Sequence, residues 1–243
     1  MIYIYRIYQY LIMVPIIVVS TIITALVTII GSLLGGGKTW GYYPEIIWSR
    51  IFCILAFVKV KVAGRENIDP ATSYVFVCNH QSAYDIFAIY GYLGHNFRWM
   101  MKASLRKIPF VGFACECSKQ IYVDKSSPAA LRRTMKRAEM QLRDGMSLVV
   151  FPEGARTPDG RMHRFRRGAF VLADEFHLPV VPVTIDGAFS VMPRTARLPL
   201  PGTIRITIHK PIMPPRGNQP YDMNKLMERS ASDIAASLPP SAR

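Results

Sequence analysis

The chain has 243 residues, half of them hydrophobic, with 30 Lys and Arg against 16 Asp and Glu and a formal net charge of +14. This composition excludes an intrinsically disordered chain and leaves room for one medium-sized domain plus an attachment. The charge implies an anionic partner: a nucleic acid, an acidic membrane surface or a phosphorylated substrate. Cys53, Cys78, Cys115 and Cys117 contain no CxxC pair, so they read as thiols of a reducing compartment rather than a disulfide framework or a zinc site.

The N-terminus narrows the choice of partner. Leu11 to Leu34 carries no charge and is long enough to cross a bilayer. Tyr3, Tyr5, Tyr8 and Tyr10 precede it, and Trp40, Tyr42 and Tyr43 follow, as side chains at two membrane interfaces would. A cleaved signal peptide is the competing reading. The run exceeds a usual signal core and Gly35-Gly36-Gly37 is a poor cleavage site, so an uncleaved anchor over residues 1–38 is expected. Arg6 alone precedes it, whereas Lys38, Arg50, Lys59 and Lys61 follow. This asymmetry predicts a single-pass protein of the inner membrane with its main domain on the cytoplasmic face. The apolar stretch from Ile46 to Val58 is interrupted by Arg50 and too short to span. Residues 39–58 are therefore expected to form an interfacial amphipathic helix, with an ordinary buried helix as the alternative.

From residue 59 onward the pattern predicts one domain, residues 59–243. Val58–Ala63 alternates as a half-buried strand does, and Tyr74–Cys78 and Ser147–Phe151 are continuous apolar runs of fully covered strands. Gln120–Val123, Val180–Ile185 and Thr203–His209 read as further strands. Helices are predicted over Ala83–Tyr92, Pro128–Asp144 with a stop at Gly145, Gly168–Phe176 and Leu226–Ser237. Strands alternating with helices define an α/β domain whose sheet is mixed and mainly parallel, flanked by helices and preceded by a transmembrane helix.

Two segments carry chemistry. Asn79-His80-Gln81-Ser82-Ala83-Tyr84-Asp85 leaves the carboxyl end of a buried strand, where sites gather in α/β sheets. A histidine there can take a proton from an alcohol near neutral pH, and a carboxylate on its other ring nitrogen would fix its tautomer. On one continuous helix His80 and Asp85 would be about 140° apart. The pair works only if His80 lies before the helix and Asp85 reaches back from its first turn. Ser82-x-x-Asp85 is equally a capping-box pattern, so a purely structural role stays open. The second segment is Phe151-Pro152-Glu153-Gly154-Ala155-Arg156-Thr157, a tight loop in which Arg156 offers a fork for phosphate. Glu153 could orient Arg156 or accept from a substrate hydroxyl; a surface turn with a salt bridge is the alternative. Arg161, His163, Arg164, Arg166 and Arg167 follow, suited to donor phosphates or an anionic membrane surface.

With both segments in view, the chain resembles the 1-acylglycerol-3-phosphate acyltransferase family. Its HxxxxD motif falls on His80 and Asp85, and its FPEGxR[ST] motif on Phe151 to Thr157. Its VPV-type strand falls on Val181-Pro182-Val183, and Phe165 to Phe170 is similar to its FKKGAF-type segment. The family's Gly-x-Ile-Phe-Ile-x-Arg block is altered: Lys119 stands for the glycine and Lys125 for the arginine, which keeps the charge but loses the fork. The resemblance covers about Val58 to Lys210. It implies the glycerolipid acyltransferase fold, a membrane lipid acceptor, and transfer of a fatty acyl group to the sn-2 hydroxyl of 1-acylglycerol 3-phosphate. It implies His80 as general base, Asp85 as its orienting acid, and Asn79, Lys125, Glu153, Gly154, Arg156 and Thr157 around the substrate. The donor is acyl-CoA or acyl-carrier protein, and no metal or organic cofactor is implied. An acyl-enzyme route through Ser82 or Cys78 is the mechanistic alternative. Another lysophospholipid, glycerol 3-phosphate or an amino-acid lipid is the alternative acceptor, and a non-catalytic phospholipid-binding protein is the alternative of another class. No helix-turn-helix, zinc-finger or RNP pattern supports nucleic-acid binding.

Overall fold

A computed structural model describes residues 2–124, 126–143 and 145–243, apart from the side chains of residues 143 and 218. Its centre is a seven-stranded sheet of β1 (Val58–Ala63), β2 (Val75–Cys78), β3 (Phe97–Lys102), β4 (Ile121–Val123), β5 (Ser147–Val150), β6 (Val180–Asp186) and β7 (Gly202–Ile208). The strand order is β1-β7-β6-β2-β5-β3-β4. Every neighbouring pair is parallel except β6 and β7. The mixed, mainly parallel sheet anticipated from the sequence is therefore present.

Helices cover both faces. At the N-terminus α1 (Ile2–Tyr8), α2 (Val14–Gly31) and α3 (Gly37–Trp40) join through π-helical turns, with a kink at Gly35, into one apolar helical segment, Ile2–Trp40, which is a candidate membrane span. Then come α4 (Tyr43–Leu55), α5 (Tyr84–Tyr92), α6 (Val111–Cys117), α7 (Pro128–Arg143), α8 (Gly168–Glu175), α9 (Ala188–Val191) and α10 (Met223–Ala236). Alternation along β2 shows why the layers form. Phe76 and Cys78 join the core shared with α4 and α5, while Val75 and Val77 join the core shared with α8 and α10. Helix α7 closes that second layer at its far side, packing on β4, β5 and α8.

The N-terminal helix lies along the first layer, against α4 and α6. Its few polar groups are tied to the domain. Gln9 Nε2 donates to the Pro199 carbonyl at 2.8 Å, Thr28 Oγ1 to Glu45 at 2.9 Å, and Trp48 Nε1 to Thr21 Oγ1 at 2.8 Å. Its outward residues, among them Leu11, Val19, Ile23 and Ile30, remain exposed as lipid-facing side chains would. The aromatic flank is less uniform than the sequence suggests. Tyr42 is buried against Tyr90 and Phe97, and the Trp40 ring folds back onto Gly31, where any side-chain carbon would collide with it.

Within the domain, β3, α6 and the short α9 escaped the sequence pattern. The β3 run Phe-Arg-Trp-Met-Met-Lys does not alternate, and Arg98 inside it is buried. That charge is tolerated because its guanidinium donates to the carbonyls of Phe97 at 2.9 Å and Gly37 at 2.8 Å. The second contact ties β3 to the short α3 that follows the kink at Gly35.

Candidate active site

β2 and β5 are parallel neighbours with Val77 opposite Val150, so the loops leaving their carboxyl ends emerge side by side. The two motifs, which begin 72 positions apart at Asn79 and Phe151, are brought together by that single pairing. A backbone hydrogen bond from Thr157 N to the His80 carbonyl at 2.9 Å staples one loop to the other.

His80 sits in the loop before α5, and Asp85 in the first turn of that helix. This is the arrangement the angular argument required. His80 Nδ1 lies 2.7 Å from Asp85 Oδ2. A carboxylate only accepts, so Nδ1 carries the proton and Nε2 keeps its lone pair. The same Oδ2 accepts the backbone N–H groups of Gln81 at 2.6 Å and Ser82 at 2.8 Å. The capping reading and the catalytic reading of Asp85 are thus one structure: the carboxylate that closes the loop also aims the imidazole. The His80 ring stacks flat on Phe151, with centroids 3.8 Å apart and planes 7° from parallel, and Phe151 stacks in turn on Trp99.

Glu153 is buried, and its two oxygens accept the backbone N–H groups of His80 at 2.7 Å and His163 at 2.8 Å. Burial outweighs those bonds and the nearby histidines and pushes its carboxyl above the usual range. Among the described residues Glu153 pairs with no arginine; it positions the backbone on either side of the site. Gly154 has φ +79°, a conformation side chains resist, and the Arg166 side chain occupies the space beside it. Arg156 is half-buried and forms no ion pair among the described residues. It is the free guanidinium of the loop. Thr157 is buried, donating to Asp159 at 2.7 Å and accepting from Gly160 N at 3.1 Å, which shapes the turn after Arg156.

Asn79 points away from this cleft. Its Nδ2 donates to the Ile185 carbonyl at 2.8 Å and its Oδ1 accepts from Ile185 N at 2.7 Å, locking the end of β2 to β6. Lys125 lies outside the described residues. Ser82 Oγ donates to the Met192 carbonyl at 2.7 Å and accepts from Tyr84 N at 3.1 Å, so its hydroxyl is engaged. Cys78 is fully buried, which pushes its thiol well up and keeps it from the thiolate form. Neither is poised as a nucleophile. Sequence reasoning missed Trp99 and the stacking role of Phe151. The signal for Phe151 was its place at the head of the second motif; Trp99 lay in the unread strand β3.

Comparison with known proteins gives the family. Residues 59–186 match the family model described as Acyltransferase. A 1-acyl-sn-glycerol-3-phosphate acyltransferase of Pseudomonas aeruginosa is 32% identical over 186 residues, covering 76% of this chain and 71% of that protein. The chain belongs to the 1-acyl-sn-glycerol-3-phosphate acyltransferase family. The chloroplastic enzyme LPAT1 of Arabidopsis thaliana is 35% identical over 177 residues, covering 72% of this chain. The chain spans about half the length of that relative and of its Brassica napus counterpart, 49% and 51%. The crystal structure of the 1-acyl-sn-glycerophosphate acyltransferase PlsC from Thermotoga maritima superposes with a TM-score of 0.79 at 25% identity, covering 96% of this chain and 92% of that one. The α/β fold is thus one this family shares, and the long apolar N-terminal helix that precedes it is a candidate membrane span.

Proposed function

We propose that this chain transfers a fatty acyl group from an acyl thioester to the sn-2 hydroxyl of 1-acylglycerol 3-phosphate, yielding phosphatidic acid. The observation that carries the reading is the His80–Asp85 pair at 2.7 Å, with Nε2 open, beside a loop that presents an unpaired Arg156. His80 Nε2 takes the hydroxyl proton as the oxygen bonds to the thioester carbonyl carbon. The tetrahedral adduct then expels the thiolate, which recovers that proton from the imidazolium. Asp85 stabilises the imidazolium, and the Phe151 stack holds its plane. Arg156 and Lys125 bind the acceptor phosphate. Glu153, Gly154 and Thr157 shape the loop that holds Arg156, and Asn79 fixes the strand end beneath it. The engaged Ser82 and the buried Cys78 favour direct transfer over an acyl-enzyme.

The donor is acyl-CoA or acyl-carrier protein, with no metal or organic cofactor. The N-terminal helix holds the enzyme at the membrane in which acceptor and product reside, with the domain on the cytoplasmic face, as the excess of Lys and Arg after the apolar run supports. The test is the purified protein in mixed micelles with lysophosphatidic acid and acyl-CoA, followed by mass spectrometry. Phosphatidic acid should accumulate. No product with this acceptor, but product with another lysolipid or glycerol 3-phosphate, would reassign the acceptor. No product with any acceptor would return the chain to the binding-protein class.

A further inference from the structure

Helix α7 carries a cationic face that neither the fold nor the reaction uses. Arg132, Arg133, Lys136 and Arg137 are all exposed, and none forms an ion pair among the described residues. At 100° per residue they fall in one arc, and Met140, exposed by 60%, falls in the middle of it. Ala130, Thr134, Ala138 and Leu142 form the opposite, buried arc. The cations weaken the helix that bears them. Arg132 and Lys136, like Arg133 and Arg137, are like charges four residues apart. Asp124 lies near Arg133, and Glu139 and Glu175 border the groove beside Arg132 and Lys136, yet the face stays positive.

Position discriminates between anionic partners. The N-terminal apolar helix lies on the α4 and α6 side of the sheet. Helix α7 packs on β4, β5 and α8, in the other layer, so its outer face is turned away from the candidate membrane span. Its amino-terminal turns, which lead into Arg132 and Arg133, are nevertheless at the catalytic end of the sheet, because α7 starts a few residues after the carboxyl end of β4 and runs back toward the start of β5. The partner must therefore be soluble, acidic, furnished with a small apolar spot to meet Met140, and have business at the active site.

We propose that the outer face of α7 docks an acidic acyl-carrier protein that delivers the acyl thioester to His80, an inference that rests on the acyl transfer proposed above. Charge complementarity selects this occupant and speeds its encounter.

The test compares two donors on the full-length protein in micelles: the same acyl chain on acyl-carrier protein and on CoA. The variants are Arg132→Glu/Lys136→Glu/Arg137→Glu and the milder Arg132→Gln/Lys136→Gln/Arg137→Gln, which guards against misfolding of the first. KM for acyl-carrier protein should rise at least about tenfold in the reversed variant and less in the neutral one, and should rise with salt in the wild type. KM for acyl-CoA should stay within about twofold, since no direct substrate contact changes. Equal losses with both donors, no loss with either, or a wild type that accepts only acyl-CoA would each overturn the docking site while leaving the acyl transfer intact. Loss of binding to anionic vesicles with donor KM values unchanged would overturn it in favour of a membrane contact. A wild type inactive with both donors would remove the reaction itself, and the docking site with it.

Discussion

The two loops that meet at the active site are built on opposite plans. In the loop after β2, the polar groups that matter are committed within the protein: Asp85 holds His80 and two backbone N–H groups, Asn79 holds Ile185, and Ser82 holds Met192. In the loop after β5, Glu153 and Thr157 lock the backbone, but Arg156 forms no ion pair among the described residues. The difference fits the roles proposed for each. A general base is useful only if its tautomer and direction are set before the alcohol arrives, so its partners are internal. A phosphate ligand must keep its donors for the substrate, so its neighbours support the backbone and spare the guanidinium.

Substitutions can break this contrast from either side. His80→Ala removes the base and should lower kcat by roughly 10²–10⁴ with the fold intact, measured as phosphatidic acid formed per enzyme alongside a thermal melt. An unchanged rate would remove His80 from the mechanism. Asp85→Asn puts an amide where three donors converge; kcat should fall by about 10²–10³ and stability by about 1–3 kcal/mol, because one tautomer is lost and a buried group is left unsatisfied. Should kcat hold while only stability drops, Asp85 is a cap and nothing more.

Arg156→Ala should instead act on binding. Losing charge-assisted hydrogen bonds worth about 1.5–3 kcal/mol raises KM for the lysophosphatidic acid roughly 10–100-fold, with Arg156→Lys in between. A fall in kcat alone would mean that Arg156 serves the transition state rather than the phosphate. Asn79→Ala leaves both backbone groups of Ile185 without a partner and should cost about 2–3 kcal/mol, seen as a lower urea midpoint, with KM unaffected. A KM change matching that for Arg156 would move Asn79 into the substrate contacts.

The smallest expected effect is on pH dependence. Burial raises the Glu153 carboxyl above its ordinary 4.5, so the folded chain binds that proton more tightly than the unfolded one. Stability from this group is complete below that ordinary value and declines as pH rises through the raised folded value. The decline should vanish in Glu153→Gln. Urea midpoints of the two proteins taken in parallel from about pH 4 to about pH 7 would show it, and identical slopes would contradict it.

Much of the fold was legible because its signals are local. Continuous apolar runs marked β2 and β5, alternation marked β1, and Gly145 marked the end of α7. The strand β3 was not legible, because a buried arginine reads as exposed unless its carbonyl partners, which come from the far end of the N-terminal helix, are known. The same limit applies to Glu153. Beside Arg156 in sequence it reads as an ion-pair partner, yet its acceptors are spent on His80 and His163. The aromatic belt was overread at Tyr42, since apolar aromatics suit a core and an interface equally well.

By itself the sequence determined the long apolar N-terminal segment, the alternating α/β order, and which residues could serve as the proposed base, acid and phosphate fork. All of these depend on side-chain chemistry and short-range periodicity. Only the tertiary structure decided that β2 and β5 are neighbours, that Asp85 serves His80 and the loop with one oxygen, and that the cationic face of α7 is turned away from the apolar helix. Those outcomes are set by pairings between segments far apart in the chain, which no local pattern encodes.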